Sequence, residues 1–280
     1  MTSRNLLKEA KLWLVAIPIF LWTMIPIYHI FLFSISTKDS AFSGKLWPDH
    51  PTLHNFVTVF KQEHFYLHHF WSQIWNSLWI AVVVGVATLA IAVCAAFAIS
   101  RLKVRGGRTV MNAALFTYFI PAAFLAVPMY KAMGTYGLLN SRWSLVLAMV
   151  TLASPYAIWV LKQASDNLPW ELDEAARIDG ATPLQLFRLV YLPLMVPSMV
   201  AIGTYALLLT WSEYLYAFLL LSHENTIPLA VGLGHFLASD DSPWEILMAT
   251  ALIYGLPPAA IYYAFRRYMV GGLTAGAVKS

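Results

Sequence analysis

The sequence predicts an all-α integral membrane protein with six transmembrane helices, and three observations carry that prediction. Hydrophobic residues make up 59% of the 280 positions and charged residues only 11%, whereas a soluble domain carries about 25% charge. Six apolar runs reach the roughly 20 residues that a helix rising about 1.5 Å per residue needs to cross a hydrocarbon core about 30 Å thick. Runs of that length satisfy their own backbone as helices, while barrel strands would show about 10 alternating residues each. The 18 Lys and Arg against 14 Asp and Glu are split among short loops instead of forming one stripe, which fits membrane topology and not nucleic acid. Cys94 is the one cysteine and lies in an apolar run, so no intrachain disulfide is available.

The first run, 12–36, follows Arg4, Lys8 and Lys11 as a signal peptide would. At about 25 residues it exceeds a signal-peptide core and no A-x-A site follows, so it reads as a retained anchor. The others are 76–100, 110–130, 143–161, 194–221 and 245–265, all within a single transmembrane domain spanning 1–280. Pro121, Pro128, Pro155, Pro197 and the pair Pro257-Pro258 fall inside these runs. Each removes a backbone donor, which either kinks its helix beside a cavity or is compensated by neighbouring helices. With both termini in the cytoplasm, thirteen Lys and Arg lie inside and five outside, and that bias sets the expected orientation.

Two outer segments, 37–73 and 222–243, are longer than connections need to be. The first holds the aromatic run from His64 to Trp71, suited to a helix lying in the interface. His64 and His68 are four apart, but no third ligand follows at zinc-site spacing, so no metal site is expected. No catalytic nucleophile stands out either, since Cys94 has no nearby histidine and no G-x-S-x-G occurs. Glu213 lies within the fifth run, where a carboxylate costs about 2.5–3.5 kcal/mol, so it should face protein or a water-filled cavity. With Trp211 and Tyr214 it is a candidate for a pathway or gate; the alternative is a paired Glu that holds neighbouring helices.

The segment 164–193 is amphipathic and sits between two membrane-length runs, on the cytoplasmic side by the charge bias. Pro169 suits the first position of a helix whose early turns carry Glu171, Asp173 and Glu174, where the dipole favours acids. Asp179-Gly180 stops that helix, because glycine accepts a left-handed cap. Thr182 and Gln185 read as a capping box with Pro183 at the first helical position, so a second helix begins at once and runs into the fifth span. Ala175 and Ala176 keep one side slim for a close-fitting partner, and Glu174 offers it a carboxylate. A helix lying on lipid would instead need a basic polar face.

Glu174-Ala175-Ala176-x3-Gly180-x9-Val190-x-Leu192-Pro193 resembles the EAA loop of permease subunits of binding-protein-dependent ABC importers, with valine where isoleucine is commoner. Trp211-Ser212-Glu213-Tyr214 resembles the family's Trp-Asn-Glu-aromatic stretch, with serine for asparagine. The tail with Gly272, Leu273, Thr274, Gly276 and Lys279 resembles the maltose-transporter-like branch of sugar permeases. The likeness runs from about residue 76 to the end, and more loosely through 51–60.

The resemblance implies a type I ABC importer permease fold in a bacterial inner membrane. It implies a second homologous permease, two cytoplasmic ATPases carrying ATP and Mg, and an extracytoplasmic solute-binding protein as partners. This chain itself would be a transport subunit for a sugar or sugar-like solute, with no cofactor and no enzymatic activity. It also implies that Glu174, Ala175, Ala176, Asp179, Gly180, Leu192 and Pro193 form the ATPase-coupling element and that the tail reaches the ATPase. Gly232, Gly234, Asp240 and Asp241 would then lie in a loop that bends toward the binding protein. No G-x-x-x-x-G-K-[ST] phosphate loop is present, which agrees with a separate ATPase. The rival readings are a permease of the same superfamily for polyamine, amino acid or phosphate, and a secondary carrier. A carrier should show a repeat or an ionisable relay across several spans, and a membrane-embedded hydrolase lacks its constellation.

Overall fold

The computed structural model describes residues 3–238 and 241–274, and every regular element among them is helical. The chain divides into two compact units, Met1–Phe70 with Leu233–Leu256 and Trp71–Gly232 with Pro257–Ser280.

In the first unit, helix α1 (Ser3–Ser34) contains the span Leu12–Ser34. Its Leu12, Trp13, Phe20, Trp22 and Ile27 are all more than half exposed, an arrangement that is unfavourable in water and suited to lipid. The last carbonyls of a helix lack internal partners. Here the buried Asn55, on α2 (His54–Lys61), donates Nδ2–H to the Ser34 and Ser36 carbonyls at 2.9 and 2.8 Å, and Thr52 N–H donates to Ile35 at 2.7 Å. Within the aromatic run Phe65–Leu67 make a short 3-10 turn and Phe70 and Trp71 open the next long helix, so no separate interfacial helix forms. His64 is extended and caps that turn, so His64 and His68 do not share a helix face.

The second unit is built on α3, which begins at the boundary and spans Phe70–Ser100. Next come α4 (Gly107–Phe116), a 3-10 turn (Thr117–Phe119) and α5 (Ala122–Thr135). The expected third span, 110–130, is broken here, with the two halves bent by 106°. Pro121 sits at the break and explains it, because its ring locks φ and it has no N–H to continue the helix. Pro128, Pro155, Pro197, Pro257 and Pro258 lie inside continuous helices.

Helix α6 (Arg142–Asp166) is followed by α7 (Glu171–Ile178), a first turn α8 (Pro183–Gln185), a π-helical turn (Leu186–Tyr191) and α9 (Leu192–Trp211). Then come α10 (Leu215–Leu220), α11 (Leu229–His235) and α12 (Trp244–Thr274). The fifth span starts earlier and ends earlier than expected, at Pro183–Trp211. It starts early because the π turn carries the helix through Pro193, and it ends at Trp211 because the chain breaks before α10.

Two buried apolar clusters hold this unit together. One joins Ile80 and Val84 of α3 to Leu145 and Met149 of α6 and Tyr216 and Leu220 of α10. The other joins Val93 and Phe97 of α3 to Leu161 of α6 and to Leu186, Tyr191 and Met195 beyond α7, with the Phe97 ring 4.9 Å from Tyr191 and 5.0 Å from Phe187. The second cluster is the floor on which α7 rests, since half-buried Ala176 packs against it.

Candidate functional site

Helix α7 begins at Glu171, two residues later than Pro169 alone suggests, with acids at Glu171, Asp173 and Glu174 in its first turn. Its end is a Schellman stop: Ala181 N–H donates to the Ala176 carbonyl at 2.9 Å and Gly180 N–H to the Arg177 carbonyl at 3.0 Å. Gly180 supplies the left-handed φ of 79° that this stop requires. The capping box then forms as the sequence predicts. Thr182 N–H donates to Gln185 Oε1 at 2.8 Å, and Gln185 N–H donates to Thr182 Oγ1 at 3.3 Å.

Leu192 and Pro193 mark the entry into α9, with Leu192 half-buried against the second cluster. Proline in a helix both lacks a donor and crowds the carbonyl four residues back. The π turn just before it widens the backbone at that point, and Leu192 N–H reaches back to the Phe187 carbonyl.

The face of α7 turned to the protein is fixed by a contact that sequence reasoning missed. Arg101, at the end of α3, and Asp173 are both buried and form an ion pair at 3.1 Å, with side chains 3% and 5% exposed. Arg101 Nη2 also donates to the Ser165 and Leu168 carbonyls at 2.7 and 3.0 Å, so one guanidinium ties α3, the end of α6 and α7 together. Trp170 joins this anchor: Arg101, Lys103 and Arg177 lie 5.5, 4.5 and 5.7 Å from its ring. These groups line a hollow of about 460 Å³ beside α7. Cation–π contacts of this kind contribute about 0.5–1 kcal/mol each at exposed sites.

Among the described residues the opposite face of α7 makes no such contact. Glu171, Glu174, Ala175 and Ile178 follow helical i, i+3, i+4, i+7 spacing and are all exposed, Ile178 to 86%. The two alanines therefore differ in role, with Ala176 packed inward and Ala175 presented outward.

The model of the family described as "Binding-protein-dependent transport system inner membrane component" matches residues 89–274. The chain belongs to that family. The inner membrane ABC transporter permease protein YcjP of Escherichia coli strain K12 is 32% identical over 261 residues, covering 92% of this chain and 91% of that protein. The trehalose transport system permease protein SugB of Mycobacterium tuberculosis is 30% identical over 260 residues, covering 92% and 93%. Among solved structures, a bacterial ABC transporter involved in import of the acidic polysaccharide alginate superposes with a TM-score of 0.79 at 25% identity, over 96% of this chain and 99% of that one. The fold is that of a type I ABC importer permease.

The other residues expected at functional positions of this permease subunit are spread over several elements. Trp211 is buried at the end of α9 and Tyr214 is exposed, its ring stacked 5.7 Å from Phe218. Glu213 is not deep in a continuous span; it sits in the break between α9 and α10, where its Oε1 accepts Tyr216 N–H at 2.8 Å. Gly272, Leu273 and Thr274 form the last turn of α12, while Gly276, Lys279 and Asp240 lie outside the described residues. Asp241 pairs with Lys38 at 2.7 Å on an exposed surface.

Gly232 and Gly234 lie within helix α11 rather than in a bending loop. Gly232 is buried, and a side chain there would run into Gln73, whose Nε2 donates to Glu224 at 3.1 Å. The approach to α11 is pinned in the same way. Asn76 donates to the Asn225 and Ile227 carbonyls at 2.8 and 3.0 Å, and Leu229 N–H donates to Ser77 Oγ at 2.9 Å. Replacing Gly232 with leucine is expected to displace Gln73 and destabilise the subunit by about 1–3 kcal/mol. A lowered thermal midpoint of the solubilised protein, against no lowering for Gly255→Ala, checks it; Gly255 lies within helix α12 with open space around it.

Among the described residues no group of three His, Cys, Asp or Glu side chains is placed to hold a metal ion. His64 instead stacks on Phe236, with ring centroids 5.8 Å apart and planes at 13°, and burial lowers its pKa from the ordinary imidazole value.

Proposed function

We propose that this chain is one of two permease halves of an ATP-driven importer for a sugar or sugar-like solute. It lies in a bacterial inner membrane with both termini and α7 in the cytoplasm. The energy comes from separate ATPase subunits that bind ATP and Mg, and an extracytoplasmic binding protein delivers the solute. The observation that carries this reading is the exposed stripe of Glu171, Glu174, Ala175 and Ile178 on a helix whose other face is locked by Arg101.

A lever must be stiff, and α7 has a glycine stop and a buried ion pair to make it so, with a capping box fixing the start of the helix that follows. A docking face must offer apolar area with a charge that orients it; Ile178 and Ala175 supply the first, and Glu174 and Glu171 the second. ATPase motion received there passes along the π turn into α9 and to the break at Glu213, which serves as part of the gate. The last turn of α12 and the tail beyond it add a second ATPase contact. Gly234 and Asp241 lie on the surface that meets the binding protein. The sugar class is supported by the trehalose system relative and by the permeases of maltose/maltodextrin systems, 29% and 30% identical in Vibrio species.

The test is to purify the chain with what accompanies it from its own membrane and measure ATP hydrolysis by the assembled complex. Maltose, trehalose and diacetylchitobiose are supplied in turn with the soluble receptor. Hydrolysis that rises with one sugar only when the receptor is present is the expected result. A complex without an ATPase, or one stimulated by an amino acid or polyamine instead, overturns the reading.

A further inference from the structure

The broken span opens a cavity of about 350 Å³ between the α4–α5 break, α6 and α9, within the roughly 300–1,000 Å³ range of small-molecule pockets. Irregular backbone at membrane depth persists only where it is buried in protein or lines a cavity, and the Pro121 break lines this one. Thr117, Tyr118, Thr151, Tyr205 and Glu213 supply its polar groups against an otherwise apolar wall.

The hydrogen bonds of those groups define what the cavity asks for. Tyr118 donates its hydroxyl hydrogen to the Leu152 carbonyl at 2.6 Å, Thr117 to Ala114 at 2.6 Å and Thr151 to Leu147 at 2.8 Å. A hydroxyl has one hydrogen and two lone pairs, so Thr117 and Thr151 present only acceptor capacity to a ligand, while the Tyr118 oxygen is also engaged by the Tyr205 hydroxyl and the Tyr156 backbone. Glu213 accepts Tyr216 N–H through Oε1, which leaves Oε2 as a further acceptor. The Tyr205 ring is braced by Tyr156, with centroids 4.8 Å apart, and Tyr118 lies 6.4 Å from Tyr156. The cavity thus combines aromatic surface with acceptors, and among the described residues no Lys, Arg or His lines it.

We propose that this subunit carries its own solute subsite at the α4–α5 break, built to take a neutral polyhydroxylated ring. Sugar hydroxyls are donor-rich and match the acceptors, and the C–H face of a sugar ring matches the tyrosines. An acidic solute is disfavoured by Glu213 and by the lack of a cation. A diamine would satisfy the acceptors but leave its second charge unpaired, since one carboxylate lines the cavity. This subsite rests on the sugar reading above and extends it by naming where this chain touches the solute.

The experiment uses the assembled complex without its binding protein. Cys94→Ser removes the native thiol, and Leu125→Cys, on the cavity wall, is labelled with an uncharged thiol reagent. Maltose, trehalose and diacetylchitobiose are tested as protectants, with 1,4-diaminobutane as the alternative. The expected result is that a sugar imported by the complete system slows labelling several-fold in proportion to its concentration, and the diamine does not. Tyr205→Ala abolishes protection and Tyr205→Phe retains it, with assembly of both verified by co-purification. Import of a sugar without protection by it overturns the subsite and leaves the importer reading intact. Protection by the diamine alone overturns the ligand class, and failure of the complete system to import any of the three sugars overturns both proposals.

Discussion

Replacing Arg101 with methionine is expected to unfasten α7 and to lower stability by about 3–5 kcal/mol, because it leaves the Asp173 carboxylate buried without its cation. The same change orphans the Ser165 and Leu168 carbonyls that Arg101 now satisfies. Asp173→Leu should be similarly harmful, since it strands a guanidinium that is 3% exposed. The double variant Arg101→Met with Asp173→Leu should recover much of the loss, since removing both charges together removes the desolvation cost. Thermal midpoints of the solubilised complex for all four proteins give the coupling energy directly. Simple additivity of the two single losses would show that the pair does not act as a unit.

Gly180→Pro is expected to abolish ATP-driven uptake while ATP hydrolysis persists. Proline fixes φ near −65°, whereas position 180 sits at 79°, and proline has no N–H for the Arg177 carbonyl. The Schellman stop cannot form, so α7 loses its fixed angle to the turn that leads into α9. Gly180→Ala is the milder comparison, costing roughly 1–2 kcal/mol for a left-handed alanine and leaving the hydrogen bond possible. Glu174→Gln should weaken docking without altering the fold, because Glu174 is exposed. The measurement is uptake and hydrolysis on the same vesicles, with assembly quantified by co-purification. Normal transport by an assembled Gly180→Pro complex would remove α7 from the mechanism.

The parts of this structure legible in sequence are those governed by local rules. Apolar runs long enough to span lipid, the Gly180 stop and the Thr182–Gln185 capping box depend on a few neighbouring residues, and all are present, the third run as a bent pair of helices. The Pro121 break was visible only as one proline among six, because which one bends a helix depends on the cavity beside it. The Arg101–Asp173 anchor was not legible for a related reason. Four cations lie between Arg101 and Arg108 and three acids between Glu171 and Glu174, and nothing local selects one pair. The single hint is that Asp173 lies three residues before Ala176, on the same inward face. Gly232 misled because glycine in a connection signals bending, while here its missing side chain makes room for Gln73.

The most direct test of the account is uptake of radiolabelled sugar into liposomes holding this chain alone, set beside liposomes holding it with the second permease, the ATPases and the binding protein. The account expects none in the first, and uptake in the second that depends on ATP on the side where α7 is exposed. Sugar carried by the chain unaided, or uptake driven by ATP on the opposite side, would contradict it.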